Sequence, residues 1–142
     1  MGMTISEAGK RSGCTPPTIR YYERIGLLPR AARTAAGRRT YGWPEVHRLS
    51  FIRRSRSFGL SIEMVRTLLA ASEASGTACA TAKHVVAEHL QAIKRQRDEL
   101  RALEMSLRTI LSRCETGCGV VGTEPCSIFE DIAAAGEQGP RG

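Results

Sequence analysis

The spacing of apolar positions changes several times along the chain, and each change marks an element. Near the N-terminus Ile5 and Ala8 stand one helical turn apart. Thr4 to Ser12 is therefore predicted as a short helix, with Ser6 as its N-cap and Gly13 as its stop. A second helix is predicted after Cys14. Thr15 can cap its orphan amides, Pro16 suits a first helical position where no amide is needed, and Gly26 ends it. Two short helices joined by a tight turn containing glycine make a helix-turn-helix. From Arg30 to Gly42 helical periodicity disappears. Gly37 predicts a hairpin turn with Arg38 to Tyr41 as the returning strand, a small basic wing.

Helical spacing then returns. Trp43-Pro44-Glu45 opens a helix whose expected buried face is Val46, Leu49, Phe51 and Ile52. Ser61 caps another, which should bury Ile62, Val65, Leu68 and Leu69. From Ala80 to Leu111 there is no proline or glycine, enough for roughly 48 Å of helix. Val86, Ile93, Leu100 and Leu107 recur every seven positions. Leu90, Leu103, Ile110 and Leu111 fill much of the companion line, which Arg97 and Glu104 interrupt. So narrow a stripe, on a helix too long for the preceding segment to cover, calls for a partner helix. A homodimer is expected.

The pattern predicts a mainly α chain with a winged helix-turn-helix head over residues 1–72 and a linker over 73–79. A dimerisation helix follows over 80–112, then a loop and short helix over 113–132 and a flexible tail over 133–142. An apolar fraction of 42% with only 5% aromatics leaves little for a single large core. No run is long and apolar enough to span a bilayer, so no membrane partner is expected. The first residues lack the basic-then-apolar pattern of a signal peptide, which predicts a cytoplasmic protein.

Charge sharpens the picture by its distribution. Residues 1–60 carry 12 Lys and Arg against 3 Asp and Glu, whereas residues 61–142 carry 9 against 11. A basic head on a near-neutral remainder is the electrostatic footprint of a nucleic-acid binder. Five cysteines, Cys14, Cys79, Cys114, Cys118 and Cys126, add candidate chemistry. In a reducing compartment such thiols bind metal or do redox chemistry more often than they staple a fold. Cys14, opening the second helix, is expected in the core. His47, His84 and His89 are expected to be packed or solvated rather than ligating.

Specific residues carry a family resemblance. Thr18-Ile19-Arg20-Tyr21-Tyr22-Glu23 is followed by Gly26-Leu27-Leu28, by Arg39-Thr40-Tyr41, by Arg48-Leu49-Ser50-Phe51-Ile52 and by Gly59-Leu60-Ser61-Ile62-Glu63-Met64-Val65. In order and spacing these segments resemble the mercury-resistance regulator (MerR) family along nearly the whole chain. The resemblance implies a winged helix-turn-helix, a coiled-coil dimer with antiparallel helices, and a metal-binding loop beyond each long helix. It further implies a regulator that sits on double-stranded promoter DNA and activates RNA polymerase by untwisting an overlong spacer when an inducer binds. Carried over residue by residue, Thr18, Arg20 and Tyr21 would serve the recognition helix, Arg38, Arg39 and Tyr41 the first wing, and Arg53, Arg54 and Arg56 the second. Tyr22 is expected in the core.

The thiols resemble the family's site for divalent soft metals. Cys79 precedes the long predicted helix and Cys114 follows its apolar pattern, so the two cannot share an ion within one chain. In an antiparallel dimer Cys79 of one subunit would approach Cys114, Cys118 and Cys126 of the other. The set Cys79, Cys114 and Cys126 resembles the three-thiolate site for zinc, cadmium, lead or mercury, which soft sulfur ligands select. Cys118 and Cys126, separated by seven residues, resemble instead the two-cysteine loop of the copper-sensing branch, which typically lacks a cysteine at the position of Cys79. An oxidant-responsive regulator using Cys114, Cys118 and Cys126 is the other alternative. An enzyme is not expected, because the sequence has no phosphate loop or catalytic dyad. A DNA-packaging protein would account for the basic head but leave the thiols unused.

Overall fold

The computed structural model describes residues 2–74, 76–117 and 126–135. Along the chain run α1 (Ile5–Ser12), α2 (Pro16–Arg24), β1 (Ala32–Arg33), β2 (Arg39–Thr40), α3 (Trp43–Ser57), α4 (Ile62–Glu73), α5 (Ala78–Gly117) and α6 (Ser127–Ala135). The chain divides into two compact units, Met1–His89 and Leu90–Gly142.

In the first unit, α1 packs on α2 and α3, and α3 on α4. The N-cap of α1 is Thr4, two residues before the expected Ser6. Its hydroxyl accepts from the Glu7 amide at 3.2 Å, while the Glu7 carboxylate accepts from the Thr4 amide at 2.9 Å. Thr4 has a glutamate three residues on and Ser6 has Gly9, so only Thr4 can close a reciprocal capping box. The helix ends at Gly13, whose φ of 76° is left-handed. That conformation favours glycine, and a Cβ there would also push aside the end of the Arg53 side chain, whose Nε would lie 2.6 Å away. Thr15 caps α2 as expected, accepting from the Thr18 amide at 3.4 Å.

The wing is a two-stranded antiparallel hairpin in which Ala32 pairs with Thr40 and Arg33 with Arg39. Gly37, at φ 78°, turns it. Tyr41, just past β2, bridges back to Met3 and ties the hairpin to the start of the chain.

Ile19, Leu27, Leu28, Tyr41, Leu49, Ile52 and Val65 form the centre of the core, surrounded by Ala8, Cys14, Tyr22, Val46, Leu60 and Leu69. Phe51 departs from expectation and is exposed. At 100° per residue it lies about 200° around α3 from Leu49, on the face opposite the buried one. Carbonyls that α2 leaves behind are held from other helices. Arg48 donates to Leu27 O at 2.7 Å, and Arg66 to Ile25 O at 2.8 Å. Val85, from the first turns of α5, also enters this core. The contact boundary thus falls at His89, beyond the head boundary expected at residue 72, because those turns pack as head.

The long helix also begins earlier and ends later than its apolar stripe. Cys79 and Cys114, expected just outside it, lie within its first and last turns. Ala78, Ala80 and Ala82 favour helix strongly, and nothing after Leu111 breaks it before Gly117. In the second unit the stripe is uncovered: Leu90, Ile93, Leu100, Leu103, Leu107 and Leu111 are each between 43% and 65% exposed. Arg113 pairs with Asp131 at 3.2 Å, joining α5 to α6.

Candidate nucleic-acid interface and thiol positions

The sequence of α2 sets the chemistry of its outer face. Ile19 and Tyr22 turn inward, which leaves Arg20, Tyr21 and Arg24 outside. Arg24 lies over the Tyr21 ring, 5.4 Å from its centroid, a cation–π contact that stiffens both side chains. Beyond them the chain doubles back through the wing. A cavity of about 370 Å³ forms between helix and hairpin, lined by Arg20, Glu23, Arg24, Arg30, Arg33 and Arg39. Five guanidinium groups around one carboxylate make a strongly cationic hollow that favours anions.

Glu23 organises this surface from below. Its side chain is only 8% exposed, so its charge must be compensated. Arg39 lies 3.3 Å from one oxygen, and the Tyr41 hydroxyl donates a short hydrogen bond to the other. Glu23 on α2 and the returning strand are thereby tied together through a charged contact. Burial and the Glu23 carboxylate push the Tyr41 phenol far above its ordinary range, and burial raises that of Tyr22.

Most of the expected contact residues lie on accessible surface. Arg20 and Tyr21 are exposed on α2, and Arg38 is exposed on the wing beside half-buried Arg39. Thr18 is half-buried, its hydroxyl 2.8 Å from that of Thr15, so it supports the helix start first. Tyr41 requires a correction: it is 1% exposed, and its hydroxyl serves Glu23, so its side chain belongs to the core rather than to a wing contact. On α3, Arg53 donates to Ser12 O at 3.1 Å and Arg56 to Leu60 O at 2.5 Å. Each guanidinium has five N–H donors, so both keep donors for a phosphate. Arg54 is exposed beside them. Sequence reasoning passed over Arg24, Arg30 and Arg33. The spacing of Arg20 and Arg24, one helical turn, was an available signal. For Arg30 and Arg33 only the folding-back of the wing supplies one.

The thiols occupy distinct environments. Cys14 is buried as expected, its sulfur 3.8 Å from Leu49 O. Cys79 is exposed, while Cys114 and Cys126 are half-buried, Cys126 immediately before α6. Cys118 lies outside the described residues. Among the described residues, no three His, Cys, Asp or Glu side chains of one chain converge on a point. His84 faces Glu88 at 3.4 Å, His89 shares a 2.8 Å hydrogen bond with Phe58 O, and the His47 ring lies tilted beside that of Trp43. Among the described residues, no helix is long and apolar enough to cross a membrane.

Two family models match the chain, that of the MerR HTH family regulatory proteins over residues 3–72 and that of the MerR DNA-binding region over residues 46–110. The HTH-type transcriptional regulator HmrR of Sinorhizobium medicae is 39% identical over 134 residues, which is 94% of this chain and 88% of that protein. Heavy metal-dependent transcription regulator 2 of Rhizobium meliloti is 36% identical over 136 residues, 96% of this chain and 90% of the relative. Among solved structures, the transcription regulator PbrR691 from Ralstonia metallidurans CH34, in complex with lead(II), is similar at a TM-score of 0.78 and 32% identity. That match covers 92% of this chain and 98% of PbrR691. These relatives are transcription regulators rather than enzymes.

Proposed function

This chain belongs to the MerR family of transcriptional regulators, and from that premise we propose that it is a homodimeric, promoter-binding activator induced by a divalent soft metal ion. Arg20, Tyr21 and Arg24 on α2, with Arg30, Arg33, Arg38 and Arg39 around the wing, grip the DNA backbone. Thr18 steadies the start of the helix. Arg53, Arg54 and Arg56 add a second set of phosphate contacts from α3. Phosphate contacts fix position without reading sequence, so the response comes from DNA deformation presented to RNA polymerase.

One observation carries the metal reading. Cys79 and Cys114 occupy the first and last turns of a single 40-residue helix. Two copies of that helix running in opposite directions bring the first turn of one beside the last turn of the other. Each end then gathers Cys79 from one chain with Cys114, Cys118 and Cys126 from the other. Thiolates are soft donors, and such a set suits zinc, cadmium, lead or mercury. The likeness to a heavy metal-dependent regulator and to a lead-bound structure supports the same class of ion.

Subunit mixing tests it. Cys79→Ser and Cys114→Ser homodimers should each bind metal weakly and still bind DNA, yet fail to activate. In a heterodimer of the two, one end lacks both mutated thiols and the other keeps its full set. About one tight metal site per heterodimer should return. If subunit exchange is verified and no tight site returns, the shared site is wrong, and Cys118 with Cys126 becomes the candidate local pair.

A further inference from the structure

The first turns of α5 meet the head along a defined face. From Ala78 to His89 the residues that are not fully exposed are Ala78, Thr81, Ala82, Val85 and His89. Spacings of three and four place all five within about 100° of the helix surface. Val86 and Leu90, exposed members of the apolar stripe, lie one step, about 100°, further round. One face of α5 therefore serves the head, and a different face is left for a partner helix. His89 is the last residue of the head-facing row.

Two kinds of contact hold that row. Val85 is buried in the core, and apolar burial has no preferred direction, so alone it permits rotation and sliding. One turn later Nε2 of His89 lies 2.8 Å from Phe58 O. A carbonyl can only accept, so the ring donates from Nε2. Phe58 is the C-cap of α3, where carbonyls have no partner further along the helix, and Gly59 at φ 80° turns the chain toward α4. A Cβ on Gly59 would sit 3.5 Å from Nε2, so the ring also lies against the turn. The Phe58, Gly59 and Leu60 amides donate back to the Arg54, Arg56 and Ser55 carbonyls. The His89 bond thus enters a turn tied by its own backbone to the last two turns of α3, which carry Arg53, Arg54 and Arg56.

We propose that the hydrogen bond from His89 to Phe58 O is the coupling contact that makes the cationic end of α3 follow α5. A hydrogen bond weakens steeply when its geometry is disturbed. A shift or rotation of α5 therefore draws the α3–α4 turn with it, where contact through Val85 alone would let the turn slip. The same helix carries Cys79 and Cys114, so the bond links the element that bears the thiols to Arg53, Arg54 and Arg56. His89 is a positioning residue in this scheme and acts through the turn.

This rests on the metal-responsive activator proposed above, and two measurements on the full chain keep the readings apart. The variants are His89→Ala, which deletes the donor, and His89→Gln, whose amide nitrogen reaches about as far as Nε2 and still donates. In the metal-free chain, hydrogen exchange at the Gly59 and Leu60 amides should quicken about tenfold in His89→Ala and stay near wild type in His89→Gln. With operator DNA carrying a fluorescent base in the promoter spacer, zinc, cadmium, lead and mercury are then titrated singly. Metal affinity and operator affinity should stay within about twofold of wild type in both variants, because neither site is touched. The metal-dependent fluorescence change should fall at least about fivefold in His89→Ala and survive in His89→Gln. Unchanged exchange in His89→Ala, or a full metal response from it, overturns the coupling contact and leaves the metal-responsive activator standing. A glutamine variant as defective as the alanine one assigns the effect to ring packing and also overturns it. A wild-type chain whose bound DNA responds to none of the four metals overturns the metal reading, and the coupling with it, whatever the exchange rates.

Discussion

At the scale of single residues, the contact that most shapes the basic face is the one between Glu23, Arg39 and Tyr41. Replacing Tyr41 with Phe deletes one hydrogen bond to a buried carboxylate while keeping the ring in the core. We expect a loss of about 1.5–3 kcal/mol in denaturant unfolding, the range for a bond to a charged group. The variant should also show a flatter response to alkali. Burial and Glu23 favour the protonated phenol, so the folded chain holds that proton when the unfolded chain releases it near its ordinary pKa of 10.0. The folded state then binds more protons, and stability falls as pH rises above about 10, having been fully present below it. Unfolding curves between pH 8 and about 11 should diverge for wild type and converge for Tyr41→Phe. An equally steep decline in the variant would assign it to Tyr22 or to other groups.

At the scale of elements, caps and stops are local chemistry and were legible, although Thr4 rather than Ser6 begins α1. Only the pair Thr4 and Glu7 supplies both halves of the box. Phe51 was misplaced because a hydrophobic residue does not announce which side of its helix will be covered. The seam of α5 is an element-scale feature with its own test. Leu100→Asp places a charge at the centre of the stripe, where desolvation without a partner is costly. Loss of the dimer, and of specific DNA binding with it, is the expected outcome by sedimentation and operator titration. A dimer that survives the substitution would put Leu100 on the solvent side of the assembly.

At the scale of the whole molecule, the basic residues collected in the head set how it should respond to salt. If about six arginines neutralise phosphates, operator affinity should fall by roughly a thousandfold between 50 and 200 mM salt. Arg20→Ala should lower the slope of that dependence by about one if Arg20 meets a phosphate, or relax base preference if it reads an edge. A variant with unchanged affinity and slope would remove Arg20 from the interface. Metal chelation should leave this binding in place and abolish activation alone.

By itself the sequence determined the succession of helices, the hairpin at Gly37, the placement of Cys14 and Tyr22 inside, and the long helix in need of a cover. Each of these follows from periodicity, capping or turn geometry, which act over a few residues. Its motifs were enough to indicate the family. Tertiary structure alone decided that Tyr41 leaves the wing surface for the core and that Arg30 and Arg33 come round to face Arg20 and Arg24. It also decided that the first turns of α5 belong with the head through Val85. These placements depend on which distant segments meet. Tyr41 and Glu23 are eighteen residues apart, and nothing local in either stretch specifies their contact. What brings them together is the burial of Ile19, Leu49 and Ile52 in one core, since a carboxylate carried inward beside that core needs partners wherever the fold can supply them.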